Sequence, residues 1–364
     1  MLTKYDEFLC HQIESTFDHV GTSAREWTER VILHFGDQSG KFHFSAGFGL
    51  YPNRNIIDAF GIVNIDRRHT YVVRASRALR PQADEVRVGP FSYELIEPWK
   101  QMRCRLDENP HGFSYDLVFE GTMPPSEEDV QFTRHKGRVV ENVQRYVQAG
   151  RGRGRITVEG TSIEVKPGTC FVGRDHSWGV RRTGAEQEAG VEPTEWPPGH
   201  LYSWGVFQFP QWGAAYHIRE DSNARQSLTS GSIFSPYSSG RAEIRLVGVD
   251  HEFQFQPDLR KIAGGKLLLT GADGSRKQMS FRPLNFTCLS ACGYHNYRGF
   301  THGHWMGQEW MDGFKLDLSD PQVLREVSFL SDESLELRCG DEVGYGVFEQ
   351  VIVGKYPRYG FQGY

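Results

Sequence analysis

Short runs in which hydrophobic and polar residues alternate fill most of this chain. Phe42-His43-Phe44-Ser45 and Tyr115-Asp116-Leu117-Val118-Phe119 are examples. Such runs recur at intervals of roughly ten residues between clusters of Gly, Pro, Asn and Asp. Alternation with a period of two puts successive side chains on opposite faces of a strand. The pattern therefore predicts an all-β, mainly antiparallel fold of the barrel or sandwich type, with minor helices.

Three segments depart from this alternation. Residues 3–30 are polar and predict a helical N-terminal arm packed on the first domain, and residues 139–149 predict a short helix. Arg151-Gly152-Arg153-Gly154-Arg155, the most basic stretch of the chain, is typical of a solvated loop. Binding of an anion is the alternative for this stretch.

A repeated four-residue motif suggests where the chain divides into domains. Ser177-Trp178-Gly179-Val180 and Ser203-Trp204-Gly205-Val206 flank a loop rich in Glu, Gly and Pro over residues 183–199. We expect the strands that carry these words to pair as a hairpin, with the loop as a lid. Because 364 residues exceed the usual size of one hydrophobic core, we predict two β domains. The first is 1–200, with the helical arm, and the second is 201–364.

Composition and charge exclude several classes of function. The chain is 38% hydrophobic and 13% aromatic, which indicates a folded protein, and its net charge of −5 gives no general attraction to nucleic acid. No apolar run approaches the roughly 20 residues that span a bilayer, and the N-terminus does not resemble a signal peptide. The six cysteines are scattered, as expected for reduced thiols. We therefore expect a cytoplasmic protein with no nucleic-acid partner and no membrane span.

The densest group of chemically reactive residues is Gly173-Arg174-Asp175-His176-Ser177-Trp178-Gly179-Val180-Arg181. On an extended strand Asp175 points to one face, whereas Arg174, His176 and Trp178 point to the other. A buried carboxyl group has a raised pKa and is a suitable general acid. We predict Asp175 as the catalytic acid, His176 as its proton partner, and Arg174 and Trp178 as substrate-binding residues. An Asp175–His176 relay requires a bulge or a third residue, and a purely structural charged cluster is the alternative.

A second group lies between Tyr294 and Trp310. His302, His304 and Glu309 have the spacing of the metal ligands in cupins. The glycines that flank these ligands in cupins are replaced by Asn296 and Leu316, so a metal site is only an alternative here. We predict instead that Tyr297, His302, His304 and Trp305 line a substrate pocket, while ordinary structural roles stay open.

Aromatic residues are concentrated between positions 178 and 310, among them Tyr202 and Trp204, which we predict to bind the substrate. Packing within the core is the alternative for these side chains. GxGxxG, P-loop, GxSxG and HExxH motifs do not occur in the sequence, so no cofactor is predicted.

Three sequence words carry a resemblance to a known family. They are Asp58-Ala59-Phe60-Gly61, Gly173-Arg174-Asp175-His176-Ser177-Trp178-Gly179 and Gly344-Tyr345-Gly346-Val347-Phe348-Glu349. With them the chain resembles the double-lipocalin proteins related to carotenoid 1,2-hydratases and hydroxyneurosporene-synthase-like proteins, and most of all their uncharacterised bacterial members. The resemblance implies two lipocalin-like barrels side by side, with an apolar site in or between them. It also implies hydration of an isoprenoid double bond by acid–base chemistry without an organic cofactor. In that scheme Asp175 matches the acid.

These observations lead to one expected function and two alternatives. We expect a protein that binds an isoprenoid, steroid-like or aromatic molecule and performs cofactor-independent hydratase, lyase or isomerase chemistry on it. The alternatives are a non-catalytic carrier of a lipophilic metabolite and a metal enzyme that uses His302, His304 and Glu309. A homodimer is a further possibility.

Overall fold

The computed structural model describes residues 1–135, 137–181, 198–257 and 259–363. Strands dominate these residues. Before residue 182 they are β1 Trp27–Asp37, β2 Phe42–Tyr51, β3 Ile56–Ile65, β4 His69–Ala78, β5 Arg87–Val88, β6 Phe91–Glu97, β7 Gln101–Leu106, β8 Phe113–Gly121, β9 Ser126–Glu127, β10 Gln131–His135, β11 Arg138–Val158, β12 Thr161–Val165 and β13 Cys170–Arg181. After residue 197 they are β14 Gly199–Gln208, β15 Gly213–Asp221, β16 Gln226–Phe234, β17 Ile244–Phe255, β18 Ile262–Gly271, β19 Arg276–Cys288, β20 Glu309–Asp317, β21 Ser331–Cys339 and β22 Glu342–Gly354.

Helical structure is sparse in these ranges. There is one short α-helix, α1 Pro321–Val327, and the 3-10 turns are Lys4–Glu7, Pro52–Arg54, Tyr237–Ser239, Leu289–Cys292 and Pro357–Tyr359. None of the helices in the described residues is both long and apolar enough to cross a membrane.

The strands form two antiparallel sheets. The first is a curled sheet with the order β20-β4-β3-β2-β1-β13-β11-β8-β7-β6-β5, and the short strands β9, β10 and β12 pair with β11. The second is a closed barrel of β14-β15-β16-β17-β18-β19-β21-β22. The predicted fold class is therefore confirmed: the protein is all-β, with two lipocalin-like barrels and minor helices.

Each barrel has its own apolar core. Phe35, Phe44 and Phe119 are among the buried residues inside the first sheet, and Tyr216 and Phe348 are among those inside the second barrel. On the central strands β1 and β13 of the first sheet, the side chains that alternate with these core residues face the second barrel. For this reason the central strands are buried on both faces, as the burial of β1 from Arg30 to Gly36 shows.

Glycine allows the two barrels to approach closely at the centre of β13. A Cβ atom on Gly173 would lie 2.5 Å from Cγ1 of Val206 on β14, which is too close for any real contact. Gly173 thus brings the second barrel against the outer face of the first sheet, next to Asp175.

The helices predicted for the N-terminal arm and for residues 139–149 are wrong. The arm has only the 3-10 turn Lys4–Glu7 before β1 begins at Trp27. Residues 139–149 belong to β11, where their alternation also fits a strand and where β13, β10 and β9 supply hydrogen-bonding partners. The backbone partners of the sheet outweigh a local helical preference.

Two further sequence predictions are also wrong. The Arg151–Arg155 stretch is not a loop but the continuation of β11, paired with β8. The strands that carry the repeated Ser-Trp-Gly-Val word do not pair with each other, because β13 pairs with β1 and β11, whereas β14 pairs with β15 and β22. The lid predicted at residues 183–199 lies largely outside the described residues. The domain division after residue 200 stays a prediction, and β20 from the second segment pairs with β4 of the first sheet.

Candidate functional site

Strand β13 directs Asp175 and His176 to opposite faces of the first sheet. Its pairing with β1 and with β11 is regular through Asp175 and His176, with no bulge between them. Asp175 faces the second barrel, and Arg145 on the neighbouring strand β11 is its ion-pair partner. His176 lines a cavity of the first barrel. The two side chains are on opposite faces, as the alternation predicts, and no direct relay connects them.

The His176 side is a cavity of about 410 Å³ beneath the N-terminal arm. Apolar side chains form most of its wall: Phe17, Val20, Trp27, Val31, Phe48, Leu50, Leu79 and Val86. His176 is held at the rim by Glu29, with Nε2 2.9 Å from Oε1, and by Tyr146, with Nδ1 3.1 Å from the hydroxyl. Trp178 packs edge-on against His176 and is 38% exposed.

Arg174, on the same face as His176, is fully engaged by its neighbours. Its Nε and Nη2 donate to Oε1 of Gln148 at 3.0 and 2.6 Å, and its Nη1 donates to the Tyr146 hydroxyl at 3.2 Å. The guanidinium group also lies over the ring of Phe119. These contacts fit a structural role, and the predicted role of Arg174 in substrate binding stays untested.

The Asp175 side is the interface between the barrels, which we call the inter-barrel site. It is defined by Arg30, Arg145, Asp175 and Arg181 of the first sheet, by Tyr202, Asp332 and Glu349 of the second barrel, and by Tyr294. Asp175, Arg181, Tyr202, Tyr294 and Glu349 are half-buried here, although the surrounding interface is buried. These polar side chains are partly reached by solvent, so the interface is not fully closed here.

Asp175 is poorly satisfied in this site. Its Oδ2 lies 3.5 Å from Nε of Arg145, and its buried Oδ1 has no hydrogen-bond partner in the described part of the chain. Burial raises the pKa of Asp175, Arg145 and Arg181 oppose the rise, and Glu128 adds to it. A carboxyl group with a raised pKa and a free oxygen can hold a proton and deliver it to a bound molecule.

Two more carboxyl groups face Asp175 from the second barrel. Asp332 and Glu349 are directly opposed on β21 and β22. Burial raises the pKa of both groups, and repulsion by Glu349 raises that of Asp332 further, so Asp332 holds the proton of this pair. His34 lies beside it, with Nδ1 3.2 Å from Oδ2 of Asp332, and burial lowers the pKa of His34 to about 3. The site thus contains a protonated acid next to a potential base.

A buried network behind the site fixes Arg145. The guanidinium lies 3.6 Å from Glu128 and donates to the Tyr202 hydroxyl at 3.3 Å. Glu128 also accepts from Nε1 of Trp204 at 2.8 Å and lies 3.1 Å from Nδ1 of His217. Burial opposes the charge of Glu128, yet Arg145, His217 and Trp204 together lower its pKa to about 2. Tyr202 therefore borders the inter-barrel site, whereas Trp204 anchors Glu128 behind it.

The His302 segment adjoins the same interface. Nδ1 of His302 lies 3.2 Å from Oδ2 of Asp58, which also accepts from the backbone N–H of Gly303 at 2.8 Å. Burial lowers the pKa of His302 to about 4, and Arg30 contributes, while Asp58 opposes. The ring of Tyr294 stands edge-on to His302 at 4.9 Å between centroids. His302 is thus a neutral group at the border of the site.

The other predicted pocket residues of this segment lie apart. Tyr297 is buried, and its carbonyl accepts from Arg74 at 2.8 Å. His304 is half-buried, and Trp305 is 56% exposed. Glu309 is exposed at the start of β20, and no group of three or more His, Cys, Asp or Glu side chains in the described ranges is arranged to hold a metal ion. The alternative metal site at His302, His304 and Glu309 therefore has no structural support.

Sequence reasoning missed most of the inter-barrel site. Arg30, Arg145, Asp332 and Glu349 lie on four different strands of the first sheet and second barrel, and nothing in the local sequence links them. A usable signal was present for Glu349, which ends the word Gly344–Glu349. The other signal was in β1, where the polar residues Arg30 and His34 interrupt an apolar strand and so indicate a polar site.

The fold and site define an all-β protein with two lipocalin-like barrels and a charged, partly open interface between them. The chain belongs to a family of unknown function, DUF8625, whose model matches residues 2–362. A search of curated proteins found no match.

Solved structures resemble this fold. An AttH-like protein from Nitrosomonas europaea superposes with a TM-score of 0.54 at 12% identity, covering 89% of this chain and 92% of the other. Kievitone hydratase from Nectria haematococca has a TM-score of 0.46 at 11% identity, covering 89% of each chain. At these identities the comparison with the AttH-like protein supports the predicted double-barrel resemblance at the level of fold.

Proposed function

We propose that the protein is an enzyme that hydrates, dehydrates or isomerises a small molecule at the inter-barrel site, with Asp175 as the proton donor. The observation that carries this proposal is the carboxyl group of Asp175. Its pKa is raised by burial, and its Oδ1 has no partner among the described residues. An acid in this state is ready to protonate a substrate near neutral pH.

The neighbouring carboxyl pair supplies the second half of the reaction. In a hydration, Asp175 donates its proton to one carbon of a double bond while a water molecule adds to the other carbon. Glu349 accepts the proton that the water loses, because its raised pKa makes it a stronger base than an exposed glutamate. Dehydration is the reverse, and isomerisation uses the same proton donor and acceptor. Enzymes commonly use two carboxyl groups in this way, because different surroundings keep one protonated as the acid and the other ionised as the base.

The proposed ligand is a hydrophobic small molecule with a polar end. The rings of Tyr202 and Tyr294 border the site, and isoprenoid, steroid-like or aromatic molecules fit this lining. No organic cofactor is part of the proposed reaction. The six cysteines, all unpaired, support a reducing compartment, and we propose the cytoplasm.

Deuterium incorporation tests the proposal. The protein is incubated in D₂O with a panel of unsaturated and hydroxylated compounds, including any ligand that native mass spectrometry finds with the purified protein. We expect Asp175→Asn to lower the rate of incorporation by roughly 10²- to 10⁴-fold. The control is Asp116→Asn, which removes a half-exposed carboxylate on β8 that pairs with Arg103 of β7. This variant should leave the rate unchanged. Full turnover by Asp175→Asn would exclude Asp175 as the acid.

A non-catalytic carrier is the second candidate, and the cavity of the first barrel favours it. The cavity of about 410 Å³ has a largely apolar wall and is separate from Asp175. Val31→Trp, which fills this cavity, should abolish retention of a co-purified lipophilic ligand if the carrier function is correct. Retention of the ligand by Val31→Trp would contradict a carrier function of this cavity.

A further inference from the structure

We infer that the inter-barrel site binds its ligand through a carboxylate group, which Arg30, Arg145 and Arg181 hold. This inference rests on the proposed function for the location of the site, and it adds the chemical class of the substrate. Arginine is suited to the role because its planar fork of N–H donors matches the two oxygens of a carboxylate.

The three arginines share one face of the first sheet. Arg30 on β1 is directly opposite Ser177 on β13, and Ser177 is opposite Arg145 on β11. Since adjacent strands are about 4.8 Å apart, Arg30 and Arg145 flank the small side chain of Ser177. Arg181 lies further along β13 on the same face. The sheet thus presents three guanidinium groups around Ser177, whose small side chain leaves room between them.

Their donors are free although the groups are buried. Arg30 is 3% exposed, and its Nε and Nη2 atoms have no hydrogen-bond partner in the described residues. Nε of Arg145 is likewise without one, since Asp175 is 3.5 Å away. The side chain of Arg181 is half-buried on the same face, where it interacts electrostatically with Arg30, Arg145 and Asp175. Burying unpaired donors and charges is costly, so an occupant that pairs with them is expected.

The arginines also repel one another. The pKa of Arg181 is lowered by its burial and by the charges of Arg30 and Arg145. The ring of Tyr294 lies under Arg30 at 4.6 Å, which stabilises the cation but leaves the edge of its guanidinium group available. An anion between the three groups would relieve this repulsion.

Other buried arginines of the same sheet have most of their donors paired. Arg74 donates to Asp312 at 2.6 Å and to two backbone carbonyls, and among the described residues its Nε alone lacks a partner, whereas Arg174 is saturated by Gln148 and Tyr146. Arg30 differs from both because two of its donor atoms, Nε and Nη2, are unpaired.

The cationic lining also selects the type of reaction. A carbocation would be repelled by these arginines, whereas an oxyanion would be stabilised. We therefore assign an α,β-unsaturated carboxylate or its β-hydroxy hydrate as the substrate. Water adds to the β carbon, the electron pair moves into the carboxylate, and Asp175 then protonates the α carbon. Glu349 takes the proton that the water loses and releases it to solvent, and solvent returns a proton to Asp175.

Calorimetric binding of matched probes tests the inference. Benzoate, trans-cinnamate and 4-phenylbutyrate are each compared with their neutral amides. We expect at least one acid to bind at least about tenfold more tightly than its amide, because the charged hydrogen bonds of the acid are stronger, and binding should weaken with added salt. Absence of binding by every acid, or equal affinity of acids and amides, would overturn the inference.

Variants locate the binding. Arg30→Gln and Arg181→Gln should each lower the affinity for the acid about tenfold or more, because each removes a charged donor. Arg153→Gln, on the exposed part of β11 beside Glu120, is the matched control and should bind like the parent protein. If Arg30→Gln does not fold, the half-buried Arg181→Gln decides the question. Unchanged affinity in Arg181→Gln contradicts the inference.

The same probes separate this inference from the proposed function. Asp175→Asn should still bind the acid, since its side chain is not one of the donors. Acid binding combined with full turnover in Asp175→Asn would refute the proposed general acid and leave the carboxylate site intact. Loss of turnover in Asp175→Asn combined with no preference for acids would refute only the carboxylate site.

Discussion

The two faces of β13 show how one strand can serve two different environments. On the inner face, Arg174 and His176 have partners for their polar atoms: Gln148, Tyr146 and Glu29. On the outer face, Asp175 and its arginine neighbours keep polar atoms that have no partner among the described residues. Saturated polar groups stabilise a fold, whereas unsaturated buried groups cost stability and are expected where a ligand completes them. The comparison therefore assigns structure mainly to the inner face and chemistry to the outer face.

The largest expected effect is on catalysis. Asp175→Asn should lower turnover by roughly 10²- to 10⁴-fold, whereas His176→Gln should lower it by less than about tenfold, because His176 faces a different cavity. Steady-state rates on the substrate found in the deuterium assay measure both effects. Equal losses in the two variants would mean that the faces act together, and the sequence prediction of His176 as proton partner would regain support.

The next effect concerns stability and compares two buried arginines. Arg174→Met should lower the free energy of unfolding by about 2–4 kcal/mol, because Gln148 and Tyr146 lose their charged donor inside the first barrel. Arg30→Met should change it by less than about 1 kcal/mol, because the side chain that it removes has unpaired donors. Urea unfolding monitored by fluorescence gives both values. A larger loss for Arg30→Met than for Arg174→Met would contradict the distinction between the faces.

A third prediction concerns the pH dependence of stability and two carboxyl groups whose pKa values are shifted in opposite directions. The pKa of Glu128 falls to about 2 in the folded protein, so its stabilisation of about 3 kcal/mol is complete above its unfolded pKa near 4.5. That stabilisation disappears as the pH falls from 4.5 towards 2, and Glu128→Gln should remove this part of the profile.

Asp332 should act in the other direction. Its folded pKa lies well above the ordinary value, since it is buried near Glu349, Glu333, Asp175 and His34. The unfolded chain therefore ionises first, and stability falls as the pH rises from the unfolded pKa to the folded one. Asp332→Asn should flatten this decline and raise the free energy of unfolding at pH 7. A parent-like profile for Asp332→Asn in unfolding experiments from pH 4 to 8 would show that Asp332 ionises normally.

The smallest effect is expected at the most exposed of the predicted pocket residues. Trp305 is 56% exposed, and Trp305→Ala should change stability by less than about 0.5 kcal/mol. Trp204→Phe should cost about 1–3 kcal/mol, because Glu128 loses the N–H donor of the indole. Thermal unfolding of the two variants measures this difference. A strong loss of ligand affinity in Trp305→Ala would restore its predicted role in binding.

The local sequence predicted strands correctly where hydrophobic and polar residues alternate strongly. It failed where the same residues are compatible with both a strand and a helix. Residues 139–149 alternate as a strand but also match a short helix, and only the pairing of β11 with β13, β10 and β9 decides between them. The Asp175 segment was found because its polar residues are adjacent along the chain. Arg30, Asp332 and Glu349 come from distant strands, so their convergence depends on sheet order and on the docking of the barrels.

The sequence by itself determined that the chain forms antiparallel strands and that Asp175 and His176 point in opposite directions, since both follow from the period of two. It did not determine which polar faces are buried. In β1 the alternation of Arg30 and His34 with Val31, Leu33 and Phe35 is also typical of a strand with one face in water. Only the tertiary structure places a second barrel on that face. Burial there removes water from the arginines and carboxyl groups, and this desolvation is what changes ordinary surface charges into a candidate active site.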